Sequence, residues 1–151
     1  MRLLFVEDDN DKAFKITSEI AAYDSEIVVI RARSFTSALR ELAKNGEHVS
    51  GVLLDMSMPN FDELQEAPEN FAGRDLLRQC KLRKIEKPTV VVTMLDSFGS
   101  GDEQITLEQL DRQLAEEFSP KYLGIIYYSS AQESWKQQLE IFLKRIREYG
   151  K

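Results

Sequence analysis

The chain has 151 residues, the length of one domain and too short for two ordinary ones. Hydrophobic residues make up 42 % and charged residues 30 %. That excludes a disordered tail, and no apolar run approaches the roughly 20 residues of a transmembrane helix. The net charge of −6, from 26 acidic and 20 basic residues, repels phosphate backbones and argues against direct nucleic-acid binding. The lone cysteine, Cys80, excludes an internal disulfide and a multi-cysteine zinc site, and the lone histidine, His48, excludes a His-His metal pair. The opening MRLLFVEDDN places acids directly behind a short apolar run, unlike a secretory signal. These features predict one cytoplasmic, reducing-compartment domain over 1–151, with no membrane partner.

Short apolar runs alternate with longer amphipathic ones. Arg2 to Val6 reads as a buried strand, and Asp11 to Tyr23 as a helix with Phe14, Ile16, Ile20 and Ala21 near helical spacing. Glu26 to Ile30 is a β-branched second strand. Ser34 is the expected N-cap of a second helix carrying Phe35, Ala38, Leu39 and Leu42, with Gly46 behind it. Gly51 to Leu54 is the third strand, followed by a helix over Asp75 to Ile85 that ends before Pro88. Thr89 to Thr93 is the fourth strand. Thr106 with Gln109 forms a capping box that opens a fourth helix through Phe118. Gly124 to Tyr128 is the fifth strand, and Glu133 to Tyr149 the last helix, with Trp135, Leu139, Phe142, Leu143 and Ile146 as its apolar stripe. Strands that are apolar throughout require cover on both faces, which means an α/β fold with a parallel sheet between helices. Two stretches interrupt the rhythm: about 60–70, acidic and containing Pro68, and about 96–105, containing Gly99 and Gly101.

Both interruptions follow the C-terminal end of a strand, the edge where open α/β sheets bind ligands. The first strand ends in Glu7, Asp8 and Asp9, the third in Asp55 and the fourth in Thr93. Carboxylates gathered within a few ångströms repel one another unless a cation offsets them. With oxygen donors and neither His nor Cys, the fitting ion is a hard one, Mg²⁺. A carboxylate beside Mg²⁺ can attack a phosphoryl group, with Asp55 as nucleophile and Thr93 as a neighbouring hydroxyl.

FVEDDN, VLLDMSMP and PTVVVT, in that order on five strand-helix units, resemble the receiver domain of two-component response regulators. The resemblance covers nearly the whole chain. It implies a flavodoxin-like, doubly wound sheet of strand order 2-1-3-4-5. It implies that Asp55 accepts a phosphoryl group from a histidine on a sensor kinase or phosphotransfer protein. Glu7 and Asp8 match the acid pair that positions Mg²⁺, and the backbone carbonyl of Ser57 matches a third metal ligand. Thr93 matches the hydroxyl that bonds the phosphoryl group and switches. Gly73 looks like the glycine that opens the third helix. Activity would be at most Mg²⁺-dependent self-phosphorylation and dephosphorylation, signalling would pass by contact with a downstream protein, and helices four and five could pair two copies.

The chain departs from that pattern in three places. Ser129 or Ser130 stands where the family carries a Lys, and Lys121 precedes the strand at its opposite end. Met94 replaces a small residue after Thr93, and the aromatic switch residue could be Tyr127 or Tyr128. The two insertions flank the active edge. The reading is a stand-alone receiver domain, and the alternative is a pseudo-receiver, an interaction module not switched by phosphate. A haloacid-dehalogenase-type phosphatase would need an Asp where Ser57 stands.

Bland roles account for other conspicuous residues. Asp9 caps the first helix, His48 sits in a polar turn, and Cys80 is a small buried residue. Arg78, Lys81, Arg83, Lys84 and Lys87 form a solvated basic face near a helix C-terminus. Asp62, Glu63, Glu66 and Glu69 belong to a solvated loop rather than a second metal site.

Overall fold

The computed structural model describes residues 1–62 and 71–150. In chain order the elements are β1 (Arg2–Val6), α1 (Asn10–Tyr23), β2 (Val28–Ala32), α2 (Phe35–Asn45), β3 (Gly51–Leu54), α3 (Ala72–Leu82), β4 (Thr89–Thr93), β5 (Ser97–Phe98), β6 (Ile105–Thr106), α4 (Leu107–Phe118), β7 (Tyr122–Tyr127) and α5 (Ser134–Tyr149). Five strands form one parallel sheet of order β2-β1-β3-β4-β7. This is the doubly wound arrangement expected from the sequence.

Side chains alternate across the strands, so one sheet feeds two cores. Leu4, Val6, Val52, Leu54 and Val91 pack with residues of α2, α3 and α4. Leu3, Phe5, Leu53, Val90 and Val92 pack with residues of α1 and α5. The helices open where the capping chemistry indicates. Asp9 accepts the Asp11 and Lys12 N–H groups, and Ser34 and Thr106 each sit in a capping box. The opposite end of the sheet carries the exposed His48.

Several boundaries differ from the sequence reading for local reasons. β2 begins two residues late because Asp24 holds a turn, accepting Glu26 N–H on its carboxylate and Ile27 N–H on its carbonyl. α3 begins at Ala72 and ends at Leu82, because Lys84 takes a left-handed φ of 58° and Ile85 N–H turns back to the Cys80 carbonyl. β7 starts at Tyr122, whose ring is buried and whose hydroxyl donates to Asp111 Oδ1 at 2.5 Å. Phe14 and Ala21 lie on the solvent side of α1, and Phe14 is 71 % exposed. Phe142 is only half-buried, its ring filling the place where a Cβ on Gly124 would lie at 2.7 Å.

The 96–105 interruption is not an open loop. Ser97–Phe98 pairs antiparallel with Ile105–Thr106, and Phe98 is buried in the core under α2, α3 and α4. Of the 60–70 interruption only its first three residues are described, so Glu63, Glu66 and Glu69 lie outside the described residues. Asp62 accepts the Ser37 hydroxyl at 3.0 Å.

Candidate functional site

Parallel register brings the acids together. β1 and β3 pair Val6 with Leu54, so the next residues, Glu7 and Asp55, leave the sheet side by side. Glu7 N–H donates to the Ala32 carbonyl and Asp55 N–H to the Val6 carbonyl, extending the ladder by one step on each side. Alternation then sends Glu7 and Asp55 to the face that α1 covers, the phase of Leu3, Phe5 and Leu53. Glu7, Asp8 and Asp55 each offer a carboxylate oxygen, all within 4.8 Å of one another. They line an open cleft of about 340 Å³ together with Asp9, Lys12, Ser57, Met94 and Leu95.

The electrostatics are severe. Glu7 is fully buried and Asp55 nearly so, at 7 % exposure, whereas Asp8 is half-exposed. Burial pushes Glu7 far above the ordinary carboxylate range, the Lys12 ammonium opposes that rise, and the Asp55 charge adds to it. Burial likewise raises Asp55, again against the pull of Lys12. Glu7 Oε2 accepts Asp9 N–H at 3.2 Å, and Oε1 faces the Lys12 ammonium 2.5 Å away in a buried ion pair. Asp55 Oδ1 accepts Ser57 N–H at 3.4 Å.

Three carboxylates converging on one cleft, with neither His nor Cys among them, fit a hard divalent cation. Glu7, Asp8 and Asp55 could hold it, with Ser57 lining the same cleft. Thr93 is fully buried one residue beyond Val92, which the register sets level with Asp55. Its hydroxyl oxygen accepts Leu95 N–H at 3.1 Å, and Thr93 itself does not line the cleft. Met94 and Leu95 form the apolar lip of the cleft, 45 % and 36 % exposed. Ser129 and Ser130 lie outside it.

Sequence reasoning missed Lys12. This side chain is 1 % exposed and donates to the Val92 carbonyl at 2.8 Å, with its nitrogen 3.7 Å from Asp55 Oδ1. The signal was available: Lys12, Ile16 and Ile20 follow the i, i+4, i+8 row that α1 buries.

Gly73 occupies the second residue of α3, and its N–H donates to the Met56 carbonyl at 2.9 Å. That bond ties the helix opening to the loop that carries Asp55.

Comparison with known proteins agrees with this fold. No family model matches the chain. An uncharacterized protein, y4jR, of Sinorhizobium fredii is 26 % identical over 149 residues, covering 93 % of this chain and 95 % of its own. The Detocs response regulatory protein DtcB of Enterobacter cloacae is 24 % identical over 153 residues, covering 98 % and 99 %. Among solved structures, a Francisella response regulator receiver domain superposes with a TM-score of 0.68 at 17 % identity, covering 99 % of this chain and 98 % of that one. A response regulator receiver protein of Pseudoalteromonas atlantica gives 0.68 at 14 % identity over the whole of both chains. The chain therefore has the receiver-domain fold of response regulators, with its acid cluster at the C-terminal edge of the sheet.

Proposed function

We propose that this protein is a response-regulator receiver module that accepts a phosphoryl group on Asp55 and relays the change by protein contact. The observation that carries this reading is the convergence of the Glu7, Asp8 and Asp55 carboxylates in one open cleft. Burying like charges is costly, and an apolar set would serve the fold better, so the cluster points to chemistry.

In the reaction an Asp55 carboxylate oxygen attacks the donor phosphorus. The new O–P bond forms as the bond from phosphorus to the donor atom breaks, and the leaving group keeps that electron pair. Ser57 N–H orients the carboxylate. Glu7 and Asp8, with the Ser57 carbonyl, would hold Mg²⁺, whose charge would offset that of the transferring oxygens. The single histidine of this chain sits at the far end of the sheet, so the donor histidine belongs to another protein, a sensor kinase or phosphotransfer protein. A phosphoryl group on Asp55 would draw the Thr93 hydroxyl away from Leu95 N–H and so alter the Met94–Leu95 lip, a surface a downstream protein can read.

The test is incubation with acetyl phosphate and Mg²⁺, followed by intact mass. A phosphoryl adduct that disappears in Asp55→Asn is the expected result. The exposed apolar lip favours a second reading, an interaction module that phosphate does not switch. Absence of an adduct with every divalent metal would favour it.

A further inference from the structure

We propose that Lys12, reaching into the cleft from α1, is the protein cation that binds the phosphoryl oxygens on Asp55; this rests on Asp55 being the acceptor. Lys12 is the one buried lysine among the described residues, and its ammonium stands between Glu7 and Asp55. Two of its contacts are settled: Glu7 Oε1 at 2.5 Å and the Val92 carbonyl at 2.8 Å. The third, to Asp55 Oδ1 at 3.7 Å, is too long for a hydrogen bond, so the ammonium faces the acceptor without being spent on it.

Phosphorylation changes this balance. The aspartyl phosphate, a mixed anhydride, loses the carboxylate charge, and the phosphoryl group brings oxygens carrying close to two negative charges to the same spot. An ammonium with three donors and a four-carbon stem can keep the Val92 carbonyl and exchange Glu7 for a phosphoryl oxygen. Lys12 transfers no proton in this step. It binds charge, and that charge is larger in the product and transition state than in the free carboxylate.

The location is built into the helix. Asp9 caps α1 by accepting Lys12 N–H at 3.1 Å, which fixes the first turn over the ends of β1 and β3. Ile16 and Ile20, on the same row, anchor the helix against the sheet. A lysine in this phase is buried and lines the cleft.

The experiment compares wild type, Lys12→Met and Lys12→Arg with acetyl phosphate and Mg²⁺, following adduct formation by intact mass and fold by circular dichroism. Lys12→Met keeps length and loses charge. It is expected to form the Asp55 adduct about tenfold or more slowly, with Lys12→Arg recovering part of the rate. A second measurement needs no variant at that position. In wild type with isotope-labelled lysine, the buried ammonium resonance shifts as the adduct forms, and it stays put in Asp55→Asn. An adduct in wild type with an unchanged rate in folded Lys12→Met, or an unmoved resonance while the adduct accumulates, overturns the Lys12 proposal and leaves Asp55 standing. No adduct in wild type removes both.

Discussion

Gly73 and the Asp55 carbonyl are in such close approach that a Cβ built on Gly73 would lie 2.8 Å from that oxygen and 2.9 Å from Met56 Cα. Both neighbours are backbone, which cannot swing aside. The glycine is therefore required by proximity, and the first turn of α3 holds the acceptor loop from below. Gly73→Ala should destabilise the protein by about 1–3 kcal/mol, the usual range for overpacking. Thermal denaturation measures this, and a melting temperature equal to wild type would show that the loop yields freely.

Divalent cation binding should appear as stability. Mg²⁺ that binds the folded chain raises the melting temperature with concentration, and chelator reverses it. Glu7→Gln, Asp8→Asn and Asp55→Asn should each blunt the response. Without metal, Asp55→Asn should melt no lower than wild type, because it removes a buried like charge while Lys12 keeps its Glu7 partner. A wild-type melt indifferent to Mg²⁺ would contradict this.

Cys80 should behave as a buried thiol. Burial pushes its pKa from 9.0 up to about 11, and the residue is 4 % exposed. Between those values the unfolded chain releases its proton while the folded chain keeps it. The stability associated with the thiol is therefore whole below pH 9 and declines as pH rises toward 11. Relative to Cys80→Ala, wild type should lose stability across that interval in denaturant titrations. Alkylation of native protein at neutral pH should be negligible until the chain unfolds.

Glu117 ties α4 to α3. Its carboxylate receives Arg78 through two bonds, 2.8 Å and 3.0 Å, and its carbonyl accepts Lys81 at 2.6 Å. The pair is partly exposed, so Glu117→Gln should cost no more than about 1 kcal/mol, and less at high salt. The Arg78 bond holds Glu117 below its ordinary pKa, so this contribution is present above that value and fades on acidification. An effect insensitive to salt would refute the ion-pair account.

The basic run from Arg78 shows where pattern reading stops. A solvated face is the right default for charged residues near a helix end, and Arg83 and Lys84 are indeed exposed. Arg78 and Lys81 are exposed too, but they also meet Glu117, 39 and 36 residues away in the chain, a pairing no local pattern encodes. The 96–105 stretch reads as a loop because its two-residue strands are too short to show alternation. Pairing between Ser97–Phe98 and Ile105–Thr106 becomes visible only in space.

Sequence alone determined the strand-helix alternation, the caps at Asp9, Ser34 and Thr106, and the acids at the strand ends, because these depend on periodicity and nearest neighbours. Tertiary structure decided which charges share the cleft. Lys12 looks like one more helical lysine until parallel register sets Glu7 beside Asp55 and α1 lays its buried row across them. Long-range pairing carries no local signature, so a buried countercharge on another element is legible only after the chain has folded.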